Sequence, residues 1–179
     1  MPASIATATA IATTVVIALG YLALFALSIR LSIVDAREHR LPNKLVALTA
    51  TIGLATIAAT ALLTADPRPL LRALACSAGA FLAYLALYLL TRTRNGAVLG
   101  AGDVKLAGAL GLFLGFLGIS ATIAGIAAGF VLASMFSLVL IAAKRANRRS
   151  RVAFGPWMLA GAWLVIIPGL PDLLTSHYS

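Results

Sequence analysis

Apolar runs long enough to cross a bilayer occupy most of this sequence, and short polar gaps separate them. A transmembrane helix needs about 20 predominantly apolar residues to cross roughly 30 Å of hydrocarbon. The mean hydropathy is +1.02, and only 11% of the residues are charged, whereas a soluble domain carries roughly a quarter. The chain is therefore predicted to be a multi-pass membrane protein.

Six of these runs approach or meet the length of a transmembrane helix, which predicts an all-α membrane bundle with residues 1–179 in one domain. The N-terminus has no Lys or Arg before the first run, so we expect a retained span and not a cleaved signal peptide. The approximate spans are residues 5–29, 45–63, 71–90, 104–117, 119–143 and 152–169.

Glycine and other small residues predict how the spans pack. Gly118 separates spans 4 and 5 almost without a gap, so we expect a left-handed turn there and a closely packed hairpin. Small-residue strips let helix backbones approach closely, within one chain or across a dimer, so the oligomeric state stays open. The strips comprise Gly108, Gly111, Gly115 and Gly118 in span 4, and Gly125, Gly129, Ala133 and Ser137 in span 5.

The placement of the basic residues predicts the orientation, because cytosolic gaps carry an excess of Lys and Arg. Only Arg68, in the gap between spans 2 and 3, and Arg72, at the start of span 3, lie on the other side. The odd-numbered gaps, which separate spans 1 and 2, 3 and 4, and 5 and 6, are thus expected in the cytosol. Both termini are expected outside the cytoplasmic membrane. The net charge of +9 then reflects orientation and contact with anionic lipid, not nucleic-acid binding. The other twelve Lys and Arg residues lie in or beside the odd-numbered gaps: Arg30, Arg37, Arg40, Lys44, Arg92, Arg94, Lys105, Lys144, Arg145, Arg148, Arg149 and Arg151.

Acidic residues are scarce, and each one near a bilayer needs a physical reason. Asp66 and Asp172 fall at the outer side, where solvated turns suffice. Asp35 follows an apolar stretch that, as a helix, would extend about 48 Å, so helix 1 is expected to tilt or to protrude into the cytosol. An ion pair with Arg37 or Arg40 is the simpler role for Asp35.

Asp103 lies at the cytosolic start of span 4, after two glycines that permit a close backbone approach to its carboxylate. Helix N-capping is the simpler role for this residue. However, Asp35 and Asp103 share one membrane depth, and two close carboxylates cannot both ionise easily. Such a pair suits peptide hydrolysis, in which the carboxylate takes a proton from water and the acid polarises the scissile carbonyl.

Other chemistries find less support in the residues. Ser32 and Cys76 lack a suitable histidine partner, because His39 lies in the first gap and His177 on the opposite side. No cluster of ligands stands at metal-binding spacing, so neither a metal nor another cofactor is expected. Cys76 is interpreted as a small buried apolar residue.

Two motifs resemble those of the type IV prepilin peptidases, a family of Gly-x-Gly-Asp intramembrane aspartyl proteases. The first is Asp35 with Leu41-Pro42-Asn43, and the second is Gly100-Ala-Gly102-Asp103-Val-Lys105-Leu. The likeness covers roughly residues 30–160 and includes Phe154-Gly155-Pro156, for which a plain helix start is the alternative. The resemblance implies that Asp35 and Asp103 are catalytic. It assigns supporting places to Pro42, Asn43, Gly100, Gly102 and Lys105, and Lys105 is expected to tune the charge of Asp103.

The resemblance also implies a substrate, namely pilin-like precursors whose short basic leader is cut at the cytosolic face, typically after a glycine. Larger family members carry cysteine pairs associated with N-methylation, and their absence here indicates a peptidase without methyltransferase activity. The basic gap 144–151 is interpreted as a topology anchor, with docking of a pilus-assembly partner as an alternative. A proton-coupled carrier and a catalytically silent assembly scaffold remain the competing functions.

Overall fold

The described residues of the computed structural model form six α-helices, and this confirms the predicted all-α membrane bundle. The structure describes residues 3–38, 41–91, 99–143 and 153–175. His39, Arg40, Arg92, Arg94, the basic gap 144–151 and His177 lie outside the described residues. The helices are α1 (Ala3–Glu38), α2 (Asn43–Thr64), α3 (Arg68–Thr91), α4 (Ala101–Leu117), α5 (Ile119–Ala142) and α6 (Gly155–Thr175).

Five of these helices are long and apolar enough to cross a membrane, and α4 is the exception. Helix α1 has 36 residues and extends about 54 Å at 1.5 Å per residue. It is therefore longer than the roughly 30 Å of hydrocarbon, as the sequence predicts. Its buried residues recur every three or four positions, which places them on one face. These residues include Ile17, Tyr21, Leu24, Ser28, Leu31 and Asp35.

Helix α4 is the centre of the bundle, because every residue from Asp103 to Phe116 except the exposed Lys105 is buried. It packs most extensively against α3 and also contacts α2, α5 and α6. A Cβ atom on Gly111 would lie 2.7 Å from the Cα of Ser77, and one on Gly115 would lie 2.9 Å from the Cα of Ala73. The glycine strip of α4 therefore brings the α3 backbone into contact.

The small-residue strip of α5 packs mainly against α6, although Gly125 also faces Leu114 of α4. Gly125, Gly129 and Ala133 are buried, and a Cβ atom on Gly129 would lie 3.2 Å from the Cα of Met158. Helices α4 and α5 are in contact, as the predicted hairpin requires, but their glycine strips bring each helix closest to another partner, α3 for α4 and α6 for α5. Gly118 adopts extended backbone, with φ 160° and ψ 167°, so the predicted left-handed turn is wrong.

Different local features define the beginning of α2 and the end of α4. Pro42 is extended, with φ −64° and ψ 122°, so α2 starts only after it. At the far end of α4, Arg72 Nε donates to the carbonyl of Gly115 at 2.9 Å and Arg72 Nη2 to that of Phe116 at 2.5 Å. Both carbonyls belong to the last turn of α4, where helical partners are missing. A cation is favoured there by the helix dipole.

Replacing Gly111 by alanine tests the contact between α3 and α4. The added Cβ would meet the backbone of Ser77, which cannot rotate away, so we expect a loss of about 1–3 kcal/mol in the free energy of unfolding. Gly79→Ala is the matched control, because nothing lies within 4 Å of its Cβ position and alanine favours helix. Unfolding midpoints in detergent measure both effects. Equal midpoints for the two variants would contradict the close packing.

Candidate active site

Asp35 is buried at the end of α1 and receives a hydrogen bond from the start of α6. Its position continues the inward face of α1, one helical turn after the buried Leu31. The side chain is 5% exposed, and the backbone N–H of Gly155 donates to its Oδ2 at 3.0 Å. A Cβ atom on Gly155 would lie 2.7 Å from the same oxygen. Glycine therefore allows the helix start to approach this carboxylate.

Asp103 is buried in the first turn of α4, where it is 7% exposed. The N–H of Gly100 donates to Asp103 Oδ2 at 2.8 Å, and the N–H of Asp103 donates to the Gly100 carbonyl at 3.1 Å. Gly100 is the N-cap residue and Asp103 the third residue of the helix. Asp103 is thus not the N-cap residue itself, but its carboxylate caps the start of α4 from the third position by accepting a hydrogen bond from the N-cap amide.

The two carboxyl groups are close enough to interact electrostatically, although they come from α1 and α4. Burial is the main cause that raises the pKa of Asp103 from 3.8 to about 6. The charge of Asp35 raises this pKa further, while the hydrogen bond from Gly100 lowers it. The structure thus brings together the two acidic residues that the sequence singles out.

Leu41 lies between the two glycine segments that hold the carboxylates. A Cβ atom on Gly102 would lie 2.9 Å from Leu41 Cβ, and one on Gly155 would lie 3.3 Å from Leu41 Cδ2. Both glycines therefore make room for one leucine side chain. Residue type alone assigns Leu41 no role, because a leucine beside Pro42 carries no chemical signal.

Lys105 and Asn43 join the beginnings of α4 and α2 on the exposed side of the site. Lys105 Nζ donates to Asn43 Oδ1 at 2.9 Å, and both side chains are exposed. The charge of Lys105 is not among the causes of the raised pKa of Asp103. Lys105 thus links the beginning of α4 to the beginning of α2.

Aromatic rings hold the segment before α6 against the neighbouring helices. The ring of Phe154 lies 5.2 Å from that of Phe130 in α5 and 6.3 Å from that of Tyr84 in α3, measured between centroids. Tyr84 in turn lies within electrostatic reach of Asp103. Gly155 begins α6 with Pro156 in its first turn, which confirms the helix start. The hydrogen bond from this segment to Asp35 is not predictable from residue type.

The remaining polar residues have the simple roles that the sequence suggests. Asp66 Oδ1 accepts a hydrogen bond from the N–H of Arg68 at 3.0 Å, and Asp172 is exposed on α6. Cys76 is half-buried and packs against Gly115. Within the described ranges, no group of three His, Cys, Asp or Glu side chains could hold a metal ion.

A comparison with protein families identifies the group to which this bundle and its two carboxylates belong. The model of the type IV leader peptidase family matches residues 22–143. The chain belongs to this family. The match contains both Asp35 and Asp103 and ends before Gly155, and membership in the type IV leader peptidase family implies a protease. No curated protein and no solved structure matches the chain.

The interaction between the carboxyl groups can be tested by titrating Asp103. Asp35→Asn removes a negative charge that raises the pKa of Asp103, so we expect this pKa to fall. It should stay above 3.8 because burial, the largest cause, persists. Carbon-13 shifts of labelled Asp carboxyls, assigned with Asp103→Asn, report the titration. The control is Glu38→Gln, an exposed position on the same helix, and an unchanged pKa in Asp35→Asn would contradict the pairing.

Proposed function

We propose that this protein is an aspartyl endopeptidase that removes the leader peptide of type IV pilin-like precursors. One observation carries the proposal: two buried carboxyl groups from distant parts of the chain interact in a member of the type IV leader peptidase family. Buried carboxylates are costly in a membrane protein and mark functional sites. The raised pKa of Asp103, caused first by burial and also by Asp35, is typical of a catalytic acid.

The proposed reaction needs one neutral and one charged carboxyl group around a water molecule. The charged group takes a proton from water as the water oxygen bonds to the scissile carbonyl carbon, while the neutral group donates a hydrogen bond to the carbonyl oxygen. The tetrahedral intermediate then loses its amine, the C–N bond breaks, and the nitrogen leaves with a proton from the pair. No covalent intermediate with the enzyme forms. The reaction therefore requires only water and the two aspartates.

The proposed substrate has a short basic leader followed by an apolar helix. The family description names a leader peptidase, and the apolar helix of such a precursor would be soluble only in the membrane that holds this enzyme. A cut next to that helix requires catalytic groups at the membrane boundary. Asp35 near the end of α1 and Asp103 at the start of α4 both lie close to helix ends, which supports a site at that boundary.

The proposed orientation places this boundary at the cytosolic face of the cytoplasmic membrane, with both termini outside. It rests on the twelve basic residues in odd-numbered gaps, against Arg68 and Arg72 elsewhere. Arg72 binds the end of α4 that lies opposite Asp103. The pair of carboxyl groups then faces the compartment in which precursors are synthesised.

Substitution of either aspartate tests the catalytic pair. We expect Asp35→Asn and Asp103→Asn each to reduce leader removal from a co-expressed pilin-like precursor by about 10²–10⁴-fold, the usual contribution of a general acid or base. Asp172→Asn, at an exposed position on α6, should process at the parent rate. Membrane insertion and the unfolding midpoint of every variant are measured in parallel. Processing at the parent rate by either active-site variant would rule out the dyad mechanism.

The same assay separates the competing functions. A proton-coupled carrier would move solute or protons in vesicles and remove no leader, whereas a silent scaffold would remove no leader and transport nothing. The parent protein is therefore tested first, purified and mixed with the precursor alone. Leader removal under these conditions excludes both alternatives.

Reporter fusions test the orientation. Alkaline phosphatase fused after Ser179 is expected to be active, because the C-terminus is placed outside. Green fluorescent protein fused after Thr91 is expected to fluoresce, because the gap between α3 and α4 is placed in the cytosol. A phosphatase fusion after Thr91 serves as the matched control and should be inactive. The opposite pattern would invert the proposed topology and place the carboxyl groups outside.

A further inference from the structure

One leucine side chain lies against both glycines that neighbour the carboxyl pair. Gly102 directly precedes Asp103, and a Cβ atom on this glycine would lie 2.9 Å from Leu41 Cβ. Gly155 donates its N–H to Asp35 Oδ2 at 3.0 Å, and a Cβ atom there would lie 3.3 Å from Leu41 Cδ2. Leu41 therefore lies between the start of α4 and the start of α6, beside the groups that place each carboxylate.

The start of α2 holds Leu41 in this place. The following residue, Pro42, restricts the backbone of Leu41 to extended conformations, and the Pro42 carbonyl accepts two N–H groups from the first turn of α2, at 3.0 Å and 3.2 Å. Asn43, one residue later, accepts a hydrogen bond from Lys105 of α4 at 2.9 Å. The side chain of Leu41 is partly buried and packs against the hydrophobic core. Its position is thus fixed by the beginning of a third helix.

A side chain fixed between two backbones determines how closely they approach. Carbon atoms pack at about 3.5–4.0 Å, and a Cβ atom on either glycine would lie closer to Leu41 than that. No spare space therefore remains between the leucine and the two helix starts. Protein interiors are close-packed, and the cavity left by a truncated side chain collapses in part. The size of residue 41 therefore controls the separation of the starts of α4 and α6.

A comparable leucine contact joins α4 and α6 at the opposite end of the bundle. Leu117, the last residue of α4, is also partly buried against the core. A Cβ atom on Gly169 of α6 would lie 3.2 Å from Leu117 Cδ2. Asp103 lies in the first turn of α4, a full helix length from this contact. Leu117 is therefore a matched leucine that packs in the same way without neighbouring the carboxyl pair.

We propose that Leu41 is a positioning residue for the carboxyl pair: its side chain separates the starts of α4 and α6 and so sets the distance between the carboxyl groups of Asp35 and Asp103. Because this side chain carries no charge, it acts through distance alone. Its effect on catalysis rests on the proposed function, in which a water molecule and a scissile carbonyl must fit between the two groups. The distance itself is a property of the free protein and is measurable without substrate.

The interaction between the carboxyl groups reports their distance, because it weakens as two charges move apart. It is measured as the fall in the Asp103 pKa that Asp35→Asn causes, by carbon-13 titration in proteins that differ at position 41. In Leu41→Ala we expect the helix starts to approach each other and the fall to be larger than in the parent. In Leu41→Phe the larger ring should push them apart, so the fall should be smaller. Leu41→Met conserves the volume and should keep the parent value.

Leu117→Ala is the matched control, because it removes the same atoms from a comparable contact and should leave the fall at its parent value. Unfolding midpoints in detergent are measured for every variant. A general loss of packing would change the fall in the same direction in Leu41→Ala and Leu41→Phe. An unchanged or smaller fall in Leu41→Ala, an unchanged or larger fall in a folded Leu41→Phe, or an equal change in Leu117→Ala would overturn the role of Leu41. Should Leu41→Phe fail to fold, the other three variants decide.

Kinetics with a pilin-like precursor test the consequence for catalysis. Leu41→Ala should lower kcat by about 10²-fold, the usual effect of misplacing a catalytic group by about 1 Å, and leave KM unchanged. Leu41→Met should restore kcat, and Leu117→Ala should keep the parent value. A parent-like kcat in Leu41→Ala would overturn the role of Leu41 in the reaction. If the parent protein removes no leader, the proposed function fails, whereas the titration still decides whether Leu41 sets the distance.

Discussion

Burial of two carboxyl groups in an apolar bundle is the constraint on which the rest of the structure depends. A charge removed from water must be paired or hydrogen-bonded, or else it is neutralised by a proton. Asp35 and Asp103 each receive one backbone amide, from Gly155 and Gly100 respectively. The beginnings of two helices therefore have to converge on one point at the end of the bundle. The packing of α4 and α6 follows from this requirement.

Helix α4 meets the requirement because the other helices surround it. Its glycines admit the backbone of α3, and Tyr21 of α1 donates to the carbonyl of Phe113 at 2.8 Å. A Cβ atom on Gly53 of α2 would lie 2.7 Å from the ring of Phe113, so α2 also lies close. Contacts on several sides fix α4, and with it Asp103, relative to α1. Two carboxyl groups from distant parts of the chain are thereby held at one site.

The sequence predicts the features that depend on local chemistry. Apolar length predicts six helices, and the scarcity of carboxylates singles out Asp35 and Asp103. Helix partners are less predictable, because a glycine strip shows that a backbone approaches without showing which one, and the strips of α4 and α5 pack mainly against α3 and α6. The bond from Gly155 to Asp35 depends on a backbone amide, which leaves no trace in residue type. Its one signal is a glycine ahead of Pro156.

Because other helices surround α4, its length does not need to match the thickness of the bilayer. With 17 residues, it extends about 26 Å, less than a typical hydrocarbon core. Lipid meets the longer outer helices, which accommodate a thinner or thicker membrane by tilting. Arg72 holds one end of α4 and the contact of Lys105 with Asn43 holds the other. The position of Asp103 within the bundle is thus set by contacts with other helices, and the length of α4 does not need to match the lipid.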